Sequence, residues 1–131
     1  MTNIELMEYW IESSDDDYDV MLTLYNGGKY SWSLFVGHLV IEKLIKGLYA
    51  KKNPDNPHAV KKHDLLLLAN NCNLELDDNR KIQLDLITTF NINARYEDYK
   101  KDFYNKCTKE YADEKLIIIE EMRTWLKAQL I

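Results

Sequence analysis

Apolar residues recur along most of the chain at intervals of three and four, the spacing that turns one face of an α-helix towards a core. Up to about Tyr25, Met7, Ile11, Ser14, Tyr18, Met21 and Tyr25 make one such face, widened by Trp10 and Leu24. Thr2 or Asn3 can cap its start. Asn26-Gly27-Gly28 ends it, because glycine accepts the left-handed backbone that closes a helix. The acidic run Asp15-Asp16-Asp17 lies inside this helix. Three successive residues point in three directions around a helix, so these carboxylates cannot share one metal ion and most of the run is expected on a solvated face. A second helix, from about Tyr30 to Lys51, is apolar on nearly every side and leaves only a narrow polar strip. That pattern marks a central helix with several neighbours. Gly37 and Gly47 lower its helix propensity, which predicts close approach of another helix at those points.

Asn53-Pro54-Asp55-Asn56-Pro57 breaks the pattern and opens a loop to about Lys62, carrying His58 and the pair Lys61-Lys62. Asp64 is placed to cap a short helix containing Leu65 to Leu68 and Ala69. After a second break at Asn70-Asn71-Cys72-Asn73, Asp77 or Asp78 can cap a further helix. In it Ile82, Leu86 and Phe90 are spaced by four, supported by Leu84 and Ile87, and it runs into Ala94-Arg95. The mixed stretch Lys100 to Tyr104 reads as loop or a short helical turn. Thr108 caps a last helix with Glu110 in its first turn, where the helix dipole favours an anion. Ile118, Met122 and Trp125 make one apolar row there, and Leu116, Ile119, Leu126 and Leu130 another. No strand alternation, repeat or linker interrupts the series. The expected fold is all-α, an up-and-down bundle of four long helices plus one short helix in a single domain over residues 1–131.

Composition adds bounds rather than detail. With 131 residues, 46% hydrophobic and 30% charged, the chain can bury a core and is not of disordered type. A net charge of −5 argues against general binding to nucleic acid, which needs a basic footprint. Two isolated cysteines, Cys72 and Cys107, do not make a disulfide framework, so a reducing compartment is expected. No signal-peptide pattern opens the chain, and no apolar run approaches the roughly 20 residues needed to span a bilayer. A soluble cytoplasmic protein is expected.

Two constellations can carry chemistry. His38, Glu42 and Lys46 follow one another at i, i+4 on the polar strip of the second helix, with Lys43 beside them. A carboxylate one turn from an imidazole can fix its tautomer and favour its protonation, so the strip is either an acid–base pair in a cleft or a partly exposed ion-paired face. The other is Phe90-Asn-Ile-Asn-Ala-Arg95-Tyr96-Glu97-Asp98-Tyr99. Arginine offers a rigid fork of donors for phosphate or carboxylate, and the tyrosines can stack or donate. Arg95 therefore either recognises an anion, or pairs with Glu42 or caps its own helix. His38, His58 and His63 lack metal-site spacing, no Cys-x2-Cys occurs, and Gly27-Gly28 is not a phosphate-binding loop. No metal or cofactor is expected, and His63 reads as a helix-start residue that ties the loop down.

The run Phe-Val-Gly-His38-Leu-Val-Ile-Glu42-Lys43-Leu-Ile-Lys46, followed by His63-Asp64-Leu65 and by Asn-Ala-Arg95-Tyr96-Glu97-Asp98-Tyr99, resembles the HEPN family. The stretch Phe103 to Tyr111 and the closing Trp125-Leu126-Lys127 are similar to one small prokaryotic branch; Glu97 stands where relatives often have proline. The resemblance covers nearly the whole chain. It implies an up-and-down bundle, usually a homodimer, with the arginine region facing a cleft. Many members are metal-independent ribonucleases, some partner a small nucleotidyltransferase as toxin or accessory subunit, and some are binding modules only. The ribonuclease branch separates its arginine from a histidine by four to six residues. Here those positions hold Lys100, Lys101 and Asp102, and no histidine follows His63. Cleavage through a ribose 2′-hydroxyl needs a proton acceptor and donor near neutral pH, which lysine and aspartate supply poorly. The expected function is a catalytically degenerate binding module for a partner protein or nucleotide-like ligand. Its site would comprise Arg95, Tyr96, Asp98, Tyr99, His38, Glu42, Lys43 and Lys46. The alternatives are an endoribonuclease using Arg95 with His38 and Glu42, or an accessory subunit in which Tyr99 or Tyr104 meets the nucleotide.

Overall fold

The Thr2 hydroxyl accepts the Glu5 N–H at 3.1 Å while the Glu5 carboxylate accepts the Thr2 N–H at 3.3 Å, so the chain enters its first helix through a reciprocal cap. The computed structural model describes residues 1–131. They form α1 (Asn3–Asn26), α2 (Tyr30–Lys52), α3 (Leu65–Asn71), α4 (Asp78–Arg95), α5 (Glu97–Lys106) and α6 (Lys109–Gln129). Asp64, Asp77 and Thr108 cap α3, α4 and α6 with their side chains, each accepting an N–H three residues on. Gly28, at φ +75°, supplies the left-handed turn between α1 and α2.

Contacts across the helices fix their directions. Asn3 on α1 donates to the Ala50 carbonyl of α2, and the Ser14 hydroxyl donates to the Val40 carbonyl at 2.8 Å. Ser33 of α2 returns a bond of 2.8 Å to Met21 O, so α1 and α2 are antiparallel and two buried hydroxyls join their backbones. Gly37 faces Ile119 and Gly47 faces Leu130, which makes α6 parallel to α2. Phe35 meets Arg95 while His38 meets Asn91, so α4 is antiparallel to α2. The four long helices thus alternate in direction around α2. One hydrophobic cluster draws on all six helices. The close approaches expected at Gly37 and Gly47 are present: a Cβ on Gly47 would lie 3.4 Å from Trp10 Cβ, and one on Gly37 closer still to α6. No helix is long and apolar enough to cross a membrane.

Two expectations need correction. The bundle has four long helices and two short ones, because the stretch expected as loop or a short helical turn is part of a ten-residue helix, α5, over residues 97–106. Little of α5 is apolar, but Glu97 and Asp98 lie at its start and Lys106 at its end, which suits the helix dipole. Phe103 anchors it, its ring 5.9 Å from that of Phe90. On α4 the buried face is Leu84, Ile87, Phe90, Asn91 and Ala94, and Ile82 is exposed. The series spaced by four drifts around a helix of 3.6 residues per turn, so Ile82 lies about 80° from Phe90 and off the core face that Phe90 occupies. Most of the acidic run is solvated as expected: Asp16 is exposed and the Asp15 side chain is 44% exposed, whereas Asp17 is mostly buried. Asp15 pairs with Arg123 and Lys127 of α6, and Asp17 with Lys43 of α2.

Candidate functional site

Half of the polar strip of α2 is buried. His38 has no exposed surface and Glu42 almost none, since α4 and the end of the loop between α2 and α3 cover them. Of the partly exposed ion-paired face, one of the two readings of this strip, the Glu42–Lys46 ion pair and the part-exposed Lys43 and Lys46 are present, but the imidazole and the carboxylate are inside. Burial without partners would be costly, and each polar atom has one. Glu42 Oε1 meets His63 Nδ1 at 2.7 Å, and Oε2 accepts from Lys46 Nζ at 3.1 Å. His63 thus ties the loop down as its position before α3 suggests. Lys46 lies 5.4 Å over the Trp10 ring.

His38 Nε2 stands 2.9 Å from the His63 carbonyl oxygen. A carbonyl only accepts, so Nε2 carries the proton and Nδ1 is left as an acceptor. Asn91 Nδ2 lies 3.4 Å from that Nδ1. The other end of the same amide, Asn91 Oδ1, accepts from Arg95 Nη2 at 2.6 Å, and Arg95 Nε also reaches the Asn91 carbonyl at 3.4 Å. Donation therefore runs one way: Arg95 to Asn91, Asn91 to His38, His38 to the loop backbone. Burial holds the His38 imidazole below its ordinary value, and outweighs the His63 carbonyl and the Glu42 carboxylate, which act to raise it.

At the outer end of this line Arg95 is exposed. Its guanidinium lies 5.8 Å from the Phe35 ring and 5.9 Å from the Tyr96 ring. Tyr96 ends α4 and begins α5, so the chain turns immediately beside the guanidinium. The turn brings Glu97, Lys100, Lys101 and Tyr104 opposite Ser31 and Trp32 of α2 around a groove of about 340 Å³. Phe35 packs edge-on to Trp32 at 5.7 Å as well as beneath Arg95, and so connects the groove to the arginine. Lys100 Nζ is 5.4 Å from the Trp32 ring.

The eight site residues expected from sequence thus divide. Arg95 and Tyr96 line one hollow of about 300 Å³, whereas Tyr99 lines another with Asn93, Asp102, Phe103 and Lys106, and Asp98 is simply exposed. Lys43 bonds to Asp17 and Ser13 on the α1 side, away from the arginine. Glu42 and Arg95 do not pair; each has other partners. The residues absent from the sequence reading are Asn91, Phe35 and Trp32. Asn91 had a signal, an amide on the apolar face of its helix four residues before Arg95. The outward direction of Trp32 had none. No three His, Cys, Asp or Glu side chains converge as metal ligands would. Burial pushes both thiols, Cys72 and Cys107, up to about 11, so neither is a nucleophile at neutral pH.

A family model described as HEPN domain matches residues 7–129, nearly the whole chain. No curated protein matches. Among solved structures, the crystal structure of TT1696 from Thermus thermophilus is similar, with a TM-score of 0.79 at 17% sequence identity, over 95% of this chain and 98% of that one. At that identity the likeness concerns the fold.

Proposed function

The chain belongs to the HEPN domain family, and on that premise we propose that it is a catalytically degenerate member, a module that binds a nucleotide-like ligand at the Arg95 surface. The observation that carries this reading is the state of the guanidinium. Nη2 is held by the Asn91 side chain at 2.6 Å and Nε by the Asn91 carbonyl at 3.4 Å, on a residue that is exposed, and Phe35 separates it from an aromatic and lysine-lined groove. A fixed guanidinium suits a phosphate, Lys100 and Lys101 add positive charge, and the exposed Trp32 offers a face on which a base can stack. His38 gives no support to cleavage chemistry. It is fully buried, both ring nitrogens are engaged, and its proton faces a backbone carbonyl. The positions that follow Arg95 at ribonuclease spacing hold Lys100, Lys101 and Asp102.

Calorimetric titration of the purified protein with ATP tests the reading. Saturable binding is expected. A charge-assisted hydrogen bond contributes about 1.5–3 kcal/mol, so Arg95→Ala should weaken binding roughly ten- to hundredfold. Trp32→Ala should weaken it by a similar factor, since stacking contributes about 1–3 kcal/mol per base. Identical titrations of wild type and both variants would rule the site out. Incubation with mixed RNA without added metal is the companion test. Cleavage lost in Arg95→Ala would replace the binding reading by a ribonuclease one.

A further inference from the structure

We propose that Asn91 and His38 are positioning residues for Arg95: the His38 tautomer, set by the His63 carbonyl, orients the Asn91 amide and through it the guanidinium. The ligand-binding consequence rests on the reading above; the orientation of the arginine does not.

Only one arrangement of protons satisfies the line. Arg95 has no acceptor, so Asn91 must turn Oδ1 towards it and Nδ2 towards His38. Nδ2 has no lone pair to give, so His38 Nδ1 must be unprotonated. The His63 carbonyl requires the complementary choice at Nε2, where the ring meets it at 2.9 Å. Move the proton to Nδ1 and two conflicts appear together. The Nε2 lone pair then faces the carbonyl oxygen, and the Nδ1 proton faces the Asn91 amino group. If Asn91 flips to relieve the second conflict, its amino group points at the guanidinium and the 2.6 Å bond is lost. Complete burial of His38 and near-complete burial of Asn91 leave no water to absorb such a mismatch.

The inner end is fixed by the loop. His63 is held through its ring to Glu42 at 2.7 Å, Asp64 caps α3, and the Leu65 N–H donates to Thr88 Oγ1 of α4 at 3.1 Å. The charged and titratable groups around His38 are Glu42 on its own helix at 3.9 Å, His63 from the loop, and Arg95 on α4. The seating of residues 53–64 is thereby connected to the outward face of Arg95, on the far side of the buried imidazole.

Nitrogen-15 NMR of the full chain tests this without any ligand. In wild type the His38 shifts should report a neutral ring protonated at Nε2, and the Arg95 Nη groups should give separate, slowly exchanging signals. Asn91→Ala should collapse those signals to a solvent average while the amide spectrum stays that of the folded bundle. His38→Leu should do the same, whereas His38→Asn, whose Oδ1 can take the place of Nδ1 as acceptor, should keep them separate even if the variant is less stable. A purely structural role for His38 would not separate those two variants. Unchanged Arg95 signals in Asn91→Ala, or a wild-type His38 protonated at Nδ1, would overturn the proposal. ATP titration of the same samples should show a several-fold weaker affinity in Asn91→Ala. A wild type that binds no nucleotide, yet responds as expected in its Arg95 signals, would remove the binding reading and support the positioning.

Discussion

An alanine at Gly37 would place its methyl carbon 2.5 Å from Ile119 Cδ1 and 3.2 Å from Met21 Sδ, both on fully buried side chains. The same substitution at Gly47 meets Trp10 Cβ at 3.4 Å and the Met7 carbonyl at 3.5 Å, ordinary contact distances. Both positions lie within α2, so both variants gain the same helix propensity, about 1 kcal/mol. At Gly47 little opposes that gain, and Gly47→Ala should be as stable as wild type or more so. At Gly37 the overlap has to be relieved inside a filled core, at a cost of about 1–3 kcal/mol. Gly37→Ala should therefore be less stable than Gly47→Ala by about 1–3 kcal/mol. Urea denaturation followed by circular dichroism measures the difference, read from the midpoints at constant slope. Ile119→Val provides the control because it removes the Cδ1 atom that collides. Alone it should cost about 0.5–1.5 kcal/mol. Added to Gly37→Ala it should cost less than that or restore stability, a coupling of about 1 kcal/mol or more between residues in contact. Strict additivity in this cycle, or equal stability of the two glycine variants, would refute the close packing of α2 against α6 at Gly37.

The depressed proton affinity of buried His38 carries a sign in pH. The unfolded chain takes up a proton near the ordinary value of 6.5 while the native ring resists it to lower pH, so stability rises with pH through the region below 6.5 and falls on acidification. Urea midpoints at about pH 5.5 and about pH 7.5 should differ less in His38→Asn than in wild type; an unchanged difference would contradict a neutral buried ring. Thr108 caps α6 by accepting the Tyr111 N–H at 3.2 Å, so Thr108→Ala should cost about 1 kcal/mol, seen as a lower thermal midpoint, and Thr108→Ser should retain most of it.

The long helices and their starts were legible in the sequence because they depend on residues within a turn of one another. Thr2, Asp64, Asp77 and Thr108 cap through bonds to N–H groups three residues on, and apolar spacing along α2 marks it as central whatever surrounds it. Gly37 and Gly47 even signalled close approach, since helix interiors tolerate glycine poorly. Short α5 escaped notice because one anchoring aromatic, Phe103, cannot be told from chance in a charged decapeptide.

The site was legible only in its outline. Arg95 and the His38–Glu42 strip could be singled out as unusual, but not what each would touch. His38 meets the backbone of His63 and the amide of Asn91, 25 and 53 residues away in sequence. Whether such residues meet is set by helix direction and register. Tertiary structure likewise set Tyr99 and Tyr96 in different hollows, sent Lys43 to Asp17, and buried His38 and Glu42. Sequence alone determined which faces are apolar and where helices begin, because those follow from neighbours in the chain. The partners of each polar group were decided by packing: once α4 and the loop closed over α2, the cost of burying an unpaired donor or acceptor left His38, Asn91 and Arg95 one consistent way to bond.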